Sequence, residues 1–297
     1  MRNAPLIEPI SNDRLDRSFA VVTKTYAPDL TRCELLAESL DRCAPMIPHY
    51  LIVDRRDRPA FKHLEYGKRQ LIDSEDLLNV RMLRTPGSKA YWLSLRALPV
   101  RGWIMQQIIK IAAIDAIPEQ TLVLCDSDVA FIRCFDRNDL LVDGKVGLFD
   151  VEHSGPESRA WTDTARRLLG LPTTQAGYRN YVGHLICWNR ETVKAMQERI
   201  ESSTGINWQL ALARTLNFSE YMIYGTFVRE VLGYKSVDHS PSTVPLVPGL
   251  WGARTDKQID DFFVEFDHRT IAIMIHSKDG IDPARYRGHL KRFWKRL

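Results

Sequence analysis

The chain has 297 residues, enough for one large or two small domains with a substantial core. Hydrophobic content of 44% and charged content of 26% are those of a soluble globular protein and exclude a disordered or fibrous chain. The net charge of +4, from 41 basic and 37 acidic residues, is too small to argue for nucleic acid, and no nucleic-acid partner is expected.

Five cysteines, Cys33, Cys43, Cys125, Cys134 and Cys187, show no CxxC spacing. Such a set fits reduced thiols better than a disulfide framework. No apolar run reaches the ~18 residues of a transmembrane helix. Residues 1–17 are polar and lack the apolar stretch of a signal peptide. A cytoplasmic protein is expected.

Residues 18–26, SFAVVTKTY, read as a first buried strand running into a polar loop. Leu30, Cys33, Leu36, Ala37 and Leu40 share one face of a helix over 29–43. HYLIV, 49–53, is a second short strand, closed by Asp54-Arg55-Arg56-Asp57. Residues 70–83 form a weaker, mixed segment, and Pro86-Gly87 marks a loop. A helix over 103–116, ended by Pro118, feeds a buried strand at 121–125, and a second apolar run follows at 129–135. Strands are expected at 145–151 and 184–188, and helices at 189–200, 206–216 and 219–232. Pro241, Pro245 and Pro248 mark an irregular segment before a late strand, TIAIMI, at 270–275. This alternation indicates an α/β sandwich with a largely parallel central sheet, in one domain over 1–297.

The strand at 121–125 ends in Asp126-Ser127-Asp128. Open α/β sheets bind ligands at the carboxyl edge of their strands. Two carboxylates there can hold a divalent cation, and Mg²⁺ is usually held by one or two carboxylates plus substrate phosphates. A strand-ending turn with solvated carboxylates would look the same in isolation. On the preceding helix, Trp103, Gln106, Gln107 and Lys110 stand at i, i+3, i+4 and i+7 on one face. That face could present donors to a diphosphate or simply be a wet polar edge. His276 follows the strand TIAIMI, where an imidazole can complete a Mn²⁺ site or serve the structure. Lys278 beside it can bind phosphate as a point charge. Gly183 permits either a close ligand approach or an ordinary bulge.

Together these motifs resemble the nucleotide-sugar-dependent glycosyltransferases of the GT-A fold, a Rossmann-like sandwich. The pattern GWxxQQxxK…LxxDSDVxF…SEYxxYG of bacterial glycosyltransferase-like proteins is carried here by Gly102-Trp103, Gln106-Gln107, Lys110, the run 126–131, and Ser219-Glu220-Tyr221 with Tyr224-Gly225. The resemblance spans roughly 18–280. It implies a nucleoside diphosphate-sugar donor and a glycan or lipid-linked acceptor of the cell surface, with Mn²⁺ or Mg²⁺ on Asp126 and Asp128. His276 matches the late histidine of the distantly similar glycogenin-like branch, although this chain reads HSKDGIDP where that branch has Gly and Lys-Pro. Thr23, Lys24 and Thr25 occupy the usual nucleoside-contacting loop, and Asp54 is a candidate for the base or ribose. Gln107, Lys110 and Lys278 are expected to face the donor. On this reading 18–150 is the nucleotide-binding half and 151–284 the acceptor-binding half.

Glu220 opens a helix among aromatic residues. It could be a base or sugar-orienting carboxylate, or an acid favoured by the helix dipole after Ser219 as cap. The tail, 285–297, carries six basic residues and no acid, with Leu290, Phe293, Trp294 and Leu297 interleaved. It is either a terminal helix docked on the domain or a peripheral contact with an anionic membrane at its inner face.

Two alternatives share these residues. Haloacid-dehalogenase-like phosphatases also carry DxDx(T/V), but the fifth position here is Ala130, and Asp260-Asp261 would have to supply the later acidic motif. A non-catalytic nucleotide-sugar-binding module would keep the fold without turnover.

Overall fold

The computed structural model describes residues 19–85, 91–152, 155–173, 177–234, 239–242, 247–253 and 255–297. Residues 1–17, Pro86-Gly87 and Pro245 lie outside them.

In chain order the strands are β1 (Phe19–Lys24), β2 (His49–Val53), β3 (Arg69–Asp73), β4 (Leu83–Arg84), β5 (Tyr91–Ser94), β6 (Ala97–Arg101), β7 (Thr121–Cys125) and β8 (Val129–Phe131). They continue as β9 (Leu141–Val142), β10 (Lys145–Phe149), β11 (Val151–Glu152), β12 (Arg179–Asn180), β13 (Leu185–Asn189), β14 (His239–Ser242), β15 (Gly249–Leu250) and β16 (Ala272–Ile275). The helices are α1 (Leu30–Cys43), α2 (Arg58–Phe61), α3 (Gly102–Ala112), α4 (Pro156–Leu168), α5 (Arg190–Thr204), α6 (Trp208–Ala213), α7 (Glu220–Thr226), α8 (Asp256–Phe262) and α9 (Ala284–Trp294).

The central sheet runs β13-β7-β1-β2-β3. β7, β1, β2 and β3 are parallel, and β13 closes the edge antiparallel to β7. The fold is thus mixed α/β with a largely parallel sheet, as the strand and helix alternation implies. β1, β2 and β7 are buried along their whole length, which explains their unbroken apolar runs. Successive side chains alternate between faces. Ala20, Val22, Leu122 and Leu124 pack with α3, α5, α6 and α7. Phe19, Val21, Val123 and Cys125 pack with α1, β8, β16 and α9. Parallel pairing puts the carboxyl ends of β1, β2 and β7 on one edge.

β8 leaves the central sheet and joins a second one, ordered β15-β16-β8. The turn 126–128 is therefore the hinge between two sheets, and β16 runs antiparallel to β8 beside it. This pairing carries residue 276 to the acidic turn.

Several elements depart from expectation. The helix expected at 219–232 is α-helical only to Thr226 and continues as a π-helix over Phe227–Leu232. The segment after β3 forms a small antiparallel sheet, β4-β5-β6. α4 and α8 were not anticipated. Among the described residues, no helix is long and apolar enough to cross a membrane.

The tail settles into the fold. Leu290 and Trp294 of α9 are buried in the core beside α1 and α8, and Trp294 Nε1 donates to Phe131 O at 2.9 Å. Arg285 pairs with Asp256, and Arg287 with Glu38. Leu290 and Trp294 are thus packed on the domain, while Leu297 stays exposed.

Candidate functional site

Asp126 and Asp128 flank the exit of β7. Asp128 is pinned by the second sheet: its carbonyl accepts from Ile275 N at 3.1 Å and its Oδ2 from Ser277 N at 3.0 Å. Burial, with the neighbouring Asp126 charge, raises the Asp128 carboxyl to about 6. Asp29, at the turn leading into α1, bonds to Ser127, and burial raises its carboxyl as well. Asp29 thus lies close enough to the acidic pair to feel the Asp126 charge.

Asp126 is anchored from below. Lys110 Nζ donates to Asp126 Oδ1 at 2.8 Å and to Tyr221 OH at 3.0 Å, and lies 3.2 Å from Glu220 Oε1. The Lys110 side chain is 5% exposed and that of Asp126 42%. Burial opposes the ammonium, but Asp126, Tyr221 and Glu220 outweigh it and hold Lys110 well above its ordinary range. Lys110 is therefore a permanent buried cation with Asp126 as its outward face. Glu220 lies on the inner side of Lys110, with burial raising its carboxyl. The structure brings Glu220 to Lys110 and, through it, to Asp126, but sets it under the site rather than on an open cleft wall.

Gln107 does not face outward. Its Oε1 accepts from Glu220 N at 2.9 Å and its Nε2 donates to Trp103 O at 3.4 Å. It caps the start of α7 and fixes where Glu220 enters. Buried Gln107 and Lys110 show that this edge of α3 is not the wet one.

Rings border the acidic turn on the other side. His276 stacks on Trp251 with centroids 4.9 Å apart, and His184 tilts against Trp251 at 5.2 Å. Burial lowers the His184 pKa, and Asp126 and His276 are close enough to act on its charge. Trp251 is 55% exposed. Lys278 is exposed in the turn after His276. Arg32 ties that turn to α1 through Ser277 O and Ile281 O at 3.3 and 3.0 Å. Sequence reading missed Asp29, Arg32 and Trp251, which lie far apart along the chain, and gave His184 no role.

The residues at the ends of β1 and β2 form a separate knot. Lys24 Nζ meets Asp54 Oδ1 at 2.9 Å, and Arg84 Nη1 meets Asp54 Oδ2 at 2.5 Å. Burial favours the neutral form of Asp54, but Lys24 and Arg84 outweigh it and hold the carboxyl low. Thr23 contacts His49 Nε2 at 3.1 Å, and Thr25 is buried. Among the described residues, no side-chain hydrogen bond or ion pair joins this knot to the acidic turn.

Two hard carboxylates suit Mg²⁺ or Mn²⁺ shared with substrate phosphates. Among the described residues, no three His, Cys, Asp or Glu side chains gather closely enough to hold an ion by themselves. The donor set fits a cation completed by its substrate, and His276 is not assembled with the pair as a third ligand.

The family described as "Family of unknown function (DUF6492)" matches residues 17–247. The chain belongs to the DUF6492 family. The matched segment contains Lys110, Asp126, Asp128 and Glu220, whereas Trp251, His276 and Lys278 lie beyond it. No curated protein matches the chain. Among solved structures, an active-site mutant of LgtC is similar over 92% of this chain and 95% of that one, at 11% identity and a TM-score of 0.46.

In this DUF6492 member, two concavities lie off the acidic turn. One of about 580 Å³ reaches His184 along Val182, Gly183 and Phe149. The other, about 700 Å³, sits between α8 and α9. There Asp260 pairs with His289 and Asp261 with Lys257, so neither acid joins Asp126 as a phosphatase reading requires. Gly183 avoids a clash, since a Cβ there would lie 2.9 Å from Ile186 Cδ1. All five cysteines are free thiols.

Proposed function

We propose that this protein transfers a sugar from a nucleoside diphosphate-sugar to a glycan or lipid-linked acceptor, with Asp126 and Asp128 holding Mg²⁺ or Mn²⁺ against the diphosphate. The observation that carries the reading is a half-exposed carboxylate at the end of a central parallel strand, fixed by a fully buried ammonium. A bound divalent cation would supply charge neutralisation at the departing diphosphate.

The protein's own groups divide the remaining work. Lys110 holds Asp126 in one orientation. Glu220 holds Lys110, which makes it a positioning residue. Trp251 offers an exposed ring face to a base or sugar, and Lys278 a point charge to phosphate. Lys24, Thr25 and Asp54 stand at the same sheet edge as candidates for the nucleoside. His276 orients Trp251 by stacking and is the candidate third ligand once the ion is bound.

Incubation with a panel of nucleotide-sugars and Mn²⁺ tests this reading. Release of nucleoside diphosphate, lost in Asp126→Asn and Asp128→Asn, is expected. No release with any donor, together with hydrolysis of simple phosphomonoesters, would favour the phosphatase alternative instead.

A further inference from the structure

The small sheet β4-β5-β6 is built inside out. Its inner face carries Trp92 and Val100, both buried. On its outer face Leu83 stands opposite Leu93, and Tyr91 opposite Arg101. Leu95 at the hairpin tip is fully exposed, and Leu98 is 71% exposed. The sheet and its hairpin tip thus expose Leu83, Tyr91, Leu93, Leu95 and Leu98, and a concentration of exposed apolar groups marks an interaction site.

The segment that forms this sheet is basic. Between Asp76 and Asp115 the sequence contains no Asp or Glu. Arg81, Arg96, Arg101 and Arg214 are exposed. None of them pairs with a carboxylate among the described residues. Arg214 Nε donates to Arg96 O and Arg101 Nη2 to Leu216 O, each at 3.0 Å, so the hairpin is braced against the end of α6. The arginines of α9 differ: Arg285 and Arg287 meet acids, and the apolar side of that helix is packed away.

We infer that the β5–β6 hairpin docks on the surface of an anionic bilayer, with Leu95 and Leu98 inserted among the headgroups and Arg96 and Arg101 against lipid phosphates. Apolar groups ringed by unpaired arginines, with a tyrosine at the boundary, match the interface chemically on both counts. A second copy of the chain would match the leucines but would bring its own arginines against these. The inference stands on this surface alone and does not rest on the transfer reading.

The test is co-sedimentation of the full chain with vesicles of phosphatidylcholine, with or without phosphatidylglycerol. Binding to the anionic vesicles, weakened by salt, is expected. The double variant Leu95→Glu, Leu98→Glu should lower the bound fraction about tenfold or more and leave the unfolding midpoint unchanged, since both side chains already stand in water. Lys295→Glu with Arg296→Glu, in the exposed tail, should bind within about twofold of the parent. The inference is overturned if anionic vesicles do not bind, if neutral vesicles bind equally, or if the hairpin variant binds undiminished. Loss of binding in the tail variant would also overturn it. So would a self-association that the hairpin variant dissolves, because the surface would then be covered by a second copy.

Discussion

The Lys110 ammonium lies 3.2 Å from the Glu220 carboxylate, and both side chains are only 5% exposed. Asp126 completes the cluster and is the member that meets solvent. Removing the ammonium would strand Glu220 in the interior, while Asp126 can rehydrate. Lys110→Met should therefore destabilise the fold by about 3–5 kcal/mol. Lys110→Met with Glu220→Leu should recover much of that loss. Urea denaturation of the three proteins measures both effects, and a neutral single variant would refute the buried ion pair.

Asp128 makes stability depend on pH in the direction opposite to a salt-bridged aspartate. Its carboxyl is raised to about 6, against about 3.9 in an unfolded chain. Between these values the unfolded chain has released a proton that the folded chain keeps, so this group lowers stability as pH rises from about 4 to about 6. Asp128→Asn should therefore be more stable than the parent by roughly 1–3 kcal/mol at about pH 8, and indistinguishable from it at about pH 3. Denaturation at the two pH values checks this. A variant less stable at the higher pH would contradict it.

Gly225 illustrates a motif residue explained by packing. A Cβ at this position would run into the buried ring of Tyr181. Gly225→Ala should destabilise by about 1–3 kcal/mol through overpacking. Pairing it with Tyr181→Ala should relieve the clash at the expense of a cavity. A thermal midpoint equal to the parent's in the single variant would remove this explanation.

Trp251 should separate binding from stability. Its ring is more than half exposed, so Trp251→Ala should change stability by only about 0.5 kcal/mol. Under the proposed function it should weaken nucleotide-sugar binding several-fold, measured by calorimetric titration. Unchanged affinity would assign the ring no part in the site.

The acidic turn and Lys110 were legible because local periodicity carries them. A buried strand ending in DxD, and a helix with Lys110 one face-repeat from Trp103, follow from spacing alone. Asp29 and Trp251 were illegible because they converge on the turn only through β1 and β15, far away in sequence. Helix α4 is hard to read from sequence because its buried stripe, Ser158, Thr162, Ala165 and Leu168, holds only two apolar residues. The small sheet was obscured for the opposite reason: its leucines face water, so alternation pointed the wrong way. Glu220 was found by pattern, yet its burial beneath Lys110 is a tertiary fact that no spacing encodes.

Calorimetric titration of UDP and GDP, with and without Mn²⁺, into the parent and Asp128→Asn tests the central claim most directly. The account predicts that at least one nucleotide binds the parent only when Mn²⁺ is present, and that Asp128→Asn, folded and at least as stable, loses that binding. Equal nucleotide binding by the two proteins, or binding indifferent to Mn²⁺, would contradict it.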